Sequence, residues 1–204
     1  MKRFTAISAT AVAATLFLAG CGSDTGSETT EGTMPGMDHG SMSASPSAAA
    51  SDAADHNSAD AMFAQMMIPH HEQAVEMSDI MLAKDGLDPQ IIQLAEDIKA
   101  AQGPEIEKMT GWLQAWGEPM EMSGDHAMEG MMSPDDLEAL ESAQGDDAAR
   151  MFLTQMIAHH EGAVAMAEEE SANGQNADTV ALAETVIADQ SAEIEKMKDL
   201  LANL

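Results

Sequence analysis

The sequence predicts an all-α protein, a four-helix bundle built from two helical hairpins that repeat one another. A histidine-containing stretch occurs twice, a shorter stretch that follows it also occurs twice, and apolar residues recur at steps of three and four. The alternating pattern of strands is absent, and aromatic residues make up only 3% of the chain. Self-similarity at a fixed offset indicates a structural unit that the chain uses twice.

The histidine-containing repeat spans residues 63–77, FAQMMIPHHEQAVEM, and returns 89 residues later at 152–166 as FLTQMIAHHEGAVAM. Each copy carries two adjacent histidines followed by glutamate, with a methionine one helical turn earlier. The shorter repeat pairs residues 102–109, QGPEIEKM, with residues 190–197, QSAEIEKM. One hairpin, with a histidine-bearing first helix and a Gln/Glu-bearing second helix, is therefore expected twice.

The first helix is expected over residues 61–84, where apolar residues form a seam at alternating steps of four and three. Asp60 is the predicted N-cap and Gly86 the predicted C-cap. Pro69 cannot donate a helical hydrogen bond, which predicts a kink just before the histidines. Ala158 occupies the matching position in the second copy, so both halves do not need a kink.

Three more long helices complete the bundle, with a short helix between the two hairpins. Apolar spacing and turn residues place these elements at residues 89–116, 133–142, 147–172 and 177–203. Gly103 and Pro104 lie inside the second long helix and are expected to bend or break it. Modest loops between such helices favour two antiparallel hairpins related by a pseudo-twofold axis.

Composition restricts the classes of partner. The 204-residue chain has 36 acidic and 8 basic residues, a formal net charge of -28. Nucleic acids and anionic membrane surfaces select for basic patches, so neither is an expected partner. An acidic surface that favours solubility accounts for most of this charge. The 19 methionines, against four phenylalanines and no tyrosine, need a further reason.

The N-terminus resembles a bacterial lipoprotein signal. Lys2 and Arg3 precede an apolar run over residues 6–19, and the run ends in the letters LAGC. We therefore expect residues 1–20 to be a signal peptide and Cys21 to carry the lipid anchor of an extracytoplasmic protein. The alternative is a plain membrane-anchor helix. Cys21 is the only cysteine, so an acylated protein has neither a disulfide nor a thiolate ligand.

Residues 21–57 read as a flexible tether, and residues 58–204 as the bundle domain. The tether and the loop at 117–134 are both rich in methionine and histidine. Thioether sulfur is a soft donor that suits Cu(I), so both segments are candidate flexible copper sites; the alternative is a plain linker of small residues. The candidate ligands in these segments are Met34, Met37, His39, Met42, Met122, His126 and Met128.

The repeated helices carry the main candidate site. The first histidine of each doublet projects from the core seam, and the second lies about 100° around the helix. A methionine one turn before each doublet can approach both imidazoles. If the hairpin partner helix faces them, four polar side chains join as ligands or ligand-supporting groups: Gln102, Glu105, Gln190 and Glu193.

Three interpretations of this cluster remain open. In the first, His70 pairs with Glu105 and His159 with Glu193 as satisfied core hydrogen bonds, and methionines fill space. The second is a ferritin-like di-iron or di-manganese site, which uses Glu-x-x-His, but methionine stands where that glutamate belongs. The third is copper, mainly Cu(I) with Cu(II) tolerated, held by methionine and histidine.

The doublets and the Gln-x-x-Glu-Ile-x-Lys-Met segments resemble the DUF305 family of bacterial envelope proteins, over about residues 58–204. The resemblance implies a ferritin-like helical bundle and a link to copper binding and copper tolerance. Carried over by position, it implies these metal ligands: Met67, His70, His71, Met77, Met156, His159, His160 and Met166.

The sequence thus predicts a lipid-anchored copper-binding protein that sequesters copper or passes it to an envelope protein that exports or accepts it. It shows no Ser/His/Asp arrangement, tuned carboxylate pair or phosphate loop, so we do not expect an enzyme. A ferritin-like metal oxidoreductase and a helical interaction module without metal are the alternatives.

Overall fold

The computed structural model describes residues 55–122 and 128–204. These residues form five helices and no strand: α1 Ser58–Leu82, α2 Pro89–Trp116, α3 Pro134–Ser142, α4 Gly145–Asn173 and α5 Ala177–Asn203. The four-helix bundle with a short extra helix is therefore confirmed. The predicted signal peptide and several candidate residues lie outside the described residues: Cys21, Met34, Met37, His39, Met42 and His126.

The start of α1 corrects one sequence prediction. The Asn57 side chain accepts hydrogen bonds from the backbone N–H groups of Ala59 and Asp60, so Asn57 is the N-cap. Asp60 instead completes a capping box, accepting from the Asn57 N–H at 2.6 Å. At the other end α1 stops at the C-cap Ala83, and Gly86 supplies a left-handed residue (φ 75°) in the following loop.

Each of the first two long helices contains a proline. α1 continues through Pro69, and α2 runs unbroken through Gly103 and Pro104, so α2 is not broken there and a bend stays a prediction. A proline removes one helical hydrogen bond but leaves φ at a helical value, and packing along the rest of the helix can offset the loss. Asp88 caps α2, and Pro89 lies in its first turn, where its missing N–H costs no helical hydrogen bond.

The hairpins pack through their first helices. α1 lies against α2, α4 lies against α5, and α1 and α4 contact each other between them. The short α3 contacts both α1 and α4. Among the described helices, none is both long enough and apolar enough to cross a membrane.

Two apolar clusters occupy opposite ends of the bundle. The first contains, among others, Met77, Met81, Ile91, Leu94, Ile98, Phe152, Leu153, Met156, Ile194 and Met197. The second contains, among others, Phe63, Met67, Met109, Leu113, Ala163, Ala167, Leu182 and Val186. Along α1 the second cluster comes first, and along α4 the order is reversed, so the two helices run antiparallel. The histidine doublets, which lie between the clusters on each helix, therefore meet at one level.

Candidate metal centre

A layer of polar side chains separates the two apolar clusters, and each long helix contributes to it. We call it the polar layer; its members are His70, His71, Gln102, Glu105, His159, His160, Gln190 and Glu193. All four histidines are at most 1% exposed, and the two glutamines are 2% and 4% exposed. The two glutamate side chains are the most exposed members of the layer, at 18% and 22%. The core of the bundle thus holds four imidazoles that are shielded from bulk solvent.

The second histidine of each doublet bonds to a glutamate of its own hairpin. His71 Nε2 lies 2.8 Å from Glu105 Oε2, and His160 Nε2 lies 2.7 Å from Glu193 Oε2. A carboxylate accepts, so Nε2 carries the hydrogen and Nδ1 keeps a lone pair. The first of the three interpretations, in which His70 pairs with Glu105 and His159 with Glu193, therefore named the wrong histidine of each doublet. The 100° step between neighbouring helix positions turns the second histidine, not the first, toward the hairpin partner.

The first histidine of each doublet faces the other hairpin. The rings of His70 and His159 lie 3.8 Å apart between centroids, with their planes tilted by 39°. His70 Nε2 lies 3.3 Å from the backbone carbonyl of Glu129, which can only accept, so Nδ1 of His70 is left with a lone pair. The two halves of the repeat therefore meet in one centre.

The facing pair stays neutral in the folded protein. The pKa of His70 is lowered to about 3, mainly by burial and next by the neighbouring His71 ring. Burial likewise lowers the pKa of His159 to about 2, with His70 as the next largest cause. A neutral imidazole is the form that binds a metal ion, so neither ring must release a proton at neutral pH.

Unpaired polar atoms are concentrated in this layer. Within residues 55–122 and 128–204, neither ring nitrogen of His159 makes a hydrogen bond of normal geometry, and Nδ1 of each other histidine in the layer also lacks a partner. The Oε1 atoms of Gln102 and Gln190 are unpaired as well. A buried polar atom without a partner costs about 1–3 kcal/mol. A ligand that used several of these lone pairs at once would recover that cost.

The donors do not form a carboxylate-rich cage. Within the described ranges, no group of three or more His, Cys, Asp or Glu side chains is placed around one point. Each of the two glutamates of the layer accepts a hydrogen bond from a histidine. A carboxylate in this position usually orients a metal-binding histidine and does not itself bind the metal. The layer therefore lacks the oxygen donors that a hard ion requires. It offers nitrogen donors with sulfur donors close by, which suit an ion that accepts two or three such ligands.

The candidate methionines flank the layer. Met67 and Met156 are fully buried in the turn before each doublet, in the second and first apolar clusters respectively. Met77 is fully buried in the first cluster, and Met166 packs, partly buried, against the second. The structure thus brings His70 and His159 into contact, places His71 and His160 in the same layer, and leaves all four methionines among apolar neighbours.

The α2–α3 connection, which the sequence singled out only for its methionine and histidine content, crosses over the histidines. The connection from α2 to α3 passes so close to α4 that a Cβ on Gly130 (φ 84°) would lie 2.6 Å from the Ala158 carbonyl oxygen. A Cβ on Gly162 would lie 2.0 Å from the Glu129 carbonyl oxygen. Only glycine allows such an approach. The available signal was the glycine inside the second histidine repeat, where the first has Gln73.

A family model matches residues 60–201, which is most of the chain; its description is a domain of unknown function, DUF305. The chain belongs to the DUF305 family. A DUF305 protein of Streptomyces coelicolor described as secreted is 36% identical, with a TM-score of 0.69 over 74% of this chain and 95% of its own. A DUF305 fragment from Deinococcus radiodurans is 30% identical, with a TM-score of 0.66 over 72% and 98%.

CopM in its Cu(I)-bound form is 35% identical to this DUF305 chain, with a TM-score of 0.60 over 71% of this chain and 96% of CopM. CopM has also been solved in Cu(II)-bound, Ag-bound and apo forms. No curated protein matches the chain. The family and its bundle fold are thereby shown.

Proposed function

We propose that this DUF305 protein binds copper in the polar layer, with Cu(I) preferred and Cu(II) tolerated. The observation that carries the proposal is the contact of two buried, neutral imidazoles, His70 and His159, whose nitrogens have unused lone pairs. The similarity to CopM, whose structures hold Cu(I), Cu(II) and Ag, supports it.

The proposed donors follow from the hydrogen bonds. Glu105 and Glu193 hold the Nε2–H of their histidines, so Nδ1 of His71 and His160 is the donor atom. Nδ1 of His70 is available for the same reason. Thioethers complete the set, and the ligands are Met67, His70, His71, Met77, Met156, His159, His160 and Met166. Gln102 and Gln190 serve as ligands or as hydrogen-bond partners of ligands.

Copper is favoured over iron or manganese because of donor softness. A di-iron centre requires several free carboxylates, whereas the two carboxylates here are each bonded to a histidine. Cu(I) accepts thioether sulfur and imidazole nitrogen in sets of two to four. We therefore propose storage or transfer of copper rather than catalysis, with a copper-exporting or copper-accepting envelope protein as partner.

We also propose an extracytoplasmic location with a lipid anchor. Residues 1–20 serve as a signal peptide, Cys21 carries the lipid, and residues 21–57 tether the bundle to the membrane. The Met/His groups of the tether (Met34, Met37, His39 and Met42) and of the α2–α3 connection (Met122, His126 and Met128) add further copper ligands. The relative described as secreted supports the location. Retention of a Cys21→Ser variant in the membrane fraction would contradict the anchor.

The central test measures copper affinity in a Cys21→Ser background, because a free thiol would itself bind Cu(I). Anaerobic competition with a Cu(I) chelator should show that the double variant His70→Ala, His159→Ala binds its tightest Cu(I) at least about 10-fold more weakly, since it loses two ligands at once. His56→Ala is the control, since His56 stacks on Trp116 outside the layer. Equal affinity in the double variant and the control would refute the proposed centre.

The same preparations separate the other functions. Fe(II) or Mn(II) binding coupled to oxygen consumption would support a ferritin-like oxidoreductase. Absence of metal binding, with intact helical circular dichroism, would leave a helical interaction module.

A further inference from the structure

A cavity of about 400 Å³ opens on the outer side of α1, at the same level as the polar layer. Ten residues from α1, α2 and the α2–α3 connection line it, and four of them are methionines: Met66, Met120, Met122 and Met128. Since 19 of 204 residues are methionine, ten lining residues would contain about one by composition alone. The enrichment marks the cavity as more than a surface irregularity.

These methionines are accessible. Met120 is 40% exposed, and the other three are partly buried. An exposed thioether contributes little to the hydrophobic core, which is the usual role of methionine. Glu72 and Glu121 also line the cavity and raise the local concentration of cations. The cavity thus combines soft thioether donors with two carboxylates, which suits a soft cation.

The cavity is held to the bundle on both sides. Gln65 of α1 donates from Nε2 to the Pro119 carbonyl at 2.8 Å, one residue before Met120. On the other side, Met128 directly precedes Glu129, whose carbonyl accepts from His70. The cavity therefore borders the backbone segment that contacts the facing histidines.

Helix α1 itself lies between the cavity and the core, since consecutive residues point about 100° apart around a helix. Met66 lines the cavity, whereas its neighbour Met67 is fully buried beneath the polar layer. Pro69 lines the cavity too and cannot donate to the Gln65 carbonyl, so this turn lacks one helical hydrogen bond. In the second hairpin the matching positions are Gln155 and Ala158. Only the first hairpin has these features.

We propose that Met66, Met120, Met122 and Met128 form an outer thioether site that captures Cu(I) and passes it to the polar layer. The inference rests on the proposed function, because it assumes that the layer binds copper. Transfer is a ligand exchange: thioether–copper bonds are replaced by imidazole–copper bonds. The ion stays Cu(I), and no electron or proton is transferred.

The test uses the Cys21→Ser chain with all four cavity methionines changed to leucine, a substitution that conserves volume and costs less than about 1.5 kcal/mol per site. The control changes Met62, Met131 and Met151, which do not line the cavity. Ag(I), a diamagnetic soft ion, is added to protein labelled at its methionine methyl groups, and Cu(I) loading is followed by stopped flow.

We expect the cavity variant to bind one equivalent less Ag(I) and to load its histidine centre at least 10-fold more slowly, with the same final occupancy of that centre. The control should load at the wild-type rate. An unchanged rate in the cavity variant overturns the proposal, whether or not an equivalent is lost. In the His70→Ala, His159→Ala variant, a retained methyl shift on Ag(I) addition shows capture without the centre, so failure of the centre and failure of the outer site are distinguishable.

Discussion

The two hairpins of this protein repeat one another at the histidines and differ around them. In each, the second histidine bonds to a glutamate at nearly the same distance, 2.8 Å in α1–α2 and 2.7 Å in α4–α5. The first histidine has different surroundings: His70 contacts the Glu129 carbonyl, whereas neither nitrogen of His159 makes a normal hydrogen bond within the described residues. The histidines are therefore repeated in both hairpins, but the α2–α3 connection contacts them differently and gives His70 and His159 different hydrogen-bond surroundings.

The connection binds the two repeats in different ways. Gln73 of the first repeat exchanges two hydrogen bonds with the backbone of Met132, at 2.9 and 2.7 Å. Gly162 occupies the matching position of the second repeat and leaves space for Glu129. In the first hairpin the Gln73 side chain therefore binds the α2–α3 connection by hydrogen bonds. In the second hairpin Gly162 has no side chain, which leaves room for the same connection to pack against α4.

A similar contrast separates the ends of the bundle. Buried Asp60 accepts from Thr179 Oγ1 at 2.6 Å and from the N–H of Asn176 at 2.9 Å, which ties α1 to the start of α5. Glu170, 1% exposed, lies beside Asp60. At the repeat offset of 89 residues, Asp60 corresponds to Ala149 and Glu170 corresponds to Met81. Both of these apolar residues belong to the first apolar cluster. One end of the bundle is closed by carboxyl groups and the other by apolar packing.

The largest effect expected is on acid stability of the metal-free protein. His70 and His159 stay neutral down to a pKa of about 3 and about 2, whereas the unfolded chain takes up these protons below about 6.5. Lowered histidine pKa values make stability fall as pH falls below 6.5, with a slope approaching about 2.7 kcal/mol per pH unit from both groups. Urea unfolding between pH 7 and pH 4.5 measures it.

His159→Gln should remove about half of that histidine contribution, and His70→Gln the same amount if the two hairpins are equivalent in this respect. His56→Gln serves as the control for a histidine outside the layer. A wild-type slope that both layer variants leave unchanged would contradict neutral burial of the pair.

The next effect concerns the glycine that distinguishes the repeats. Gly162→Ala should destabilise the protein by about 1–3 kcal/mol or more, because its Cβ would overlap the Glu129 backbone. Gly111→Ala is the matched control: it is helical with open space around its Cβ, so it should gain about 0.5–1 kcal/mol. Chemical denaturation compares them. Equal stability of the two variants would show that the connection does not pack on α4.

The third prediction tests whether the hairpins are equivalent at their glutamates. Glu105→Gln and Glu193→Gln should each weaken Cu(I) binding by about 10–100-fold, because an amide orients the histidine less strongly than a carboxylate does. Chelator competition measures both, with Glu107→Gln on exposed α2 surface as the control. A loss in one variant only would assign the copper ion to that hairpin.

The smallest effect lies at the carboxyl-closed end. Burial raises the pKa of Glu170 to about 7, so the folded protein keeps a proton that the unfolded chain loses near 4.5. A raised carboxyl pKa makes stability fall as pH rises from 4.5 to 7. Glu170→Gln should therefore be more stable than the parent at pH 8, where the parent must ionise a buried carboxyl group. Exposed Glu168→Gln should not reproduce that gain in thermal or urea unfolding.

Local patterns were sufficient for most of the helices. α2, α3 and α5 were predicted within one residue of their bounds, since proline, Asx and serine caps act over three or four positions. Asp60 was misassigned because its partners include Gln175, Asn176 and Thr179, which are distant in sequence. From the sequence alone, an aspartate near the start of a helix is assigned as the N-cap, because its long-range partners are not visible there.

The repeated sequence by itself determined the family, the bundle and the four histidines as one class of residue, because periodicity and duplication are properties of the chain. Only the tertiary structure decided that His70 faces His159, that the glutamates bond to the second histidines, and that the α2–α3 connection crosses over Gly162. These relations depend on how helices are rotated against each other, and a rotation of about 100°, one residue step, exchanges the partners of neighbouring side chains.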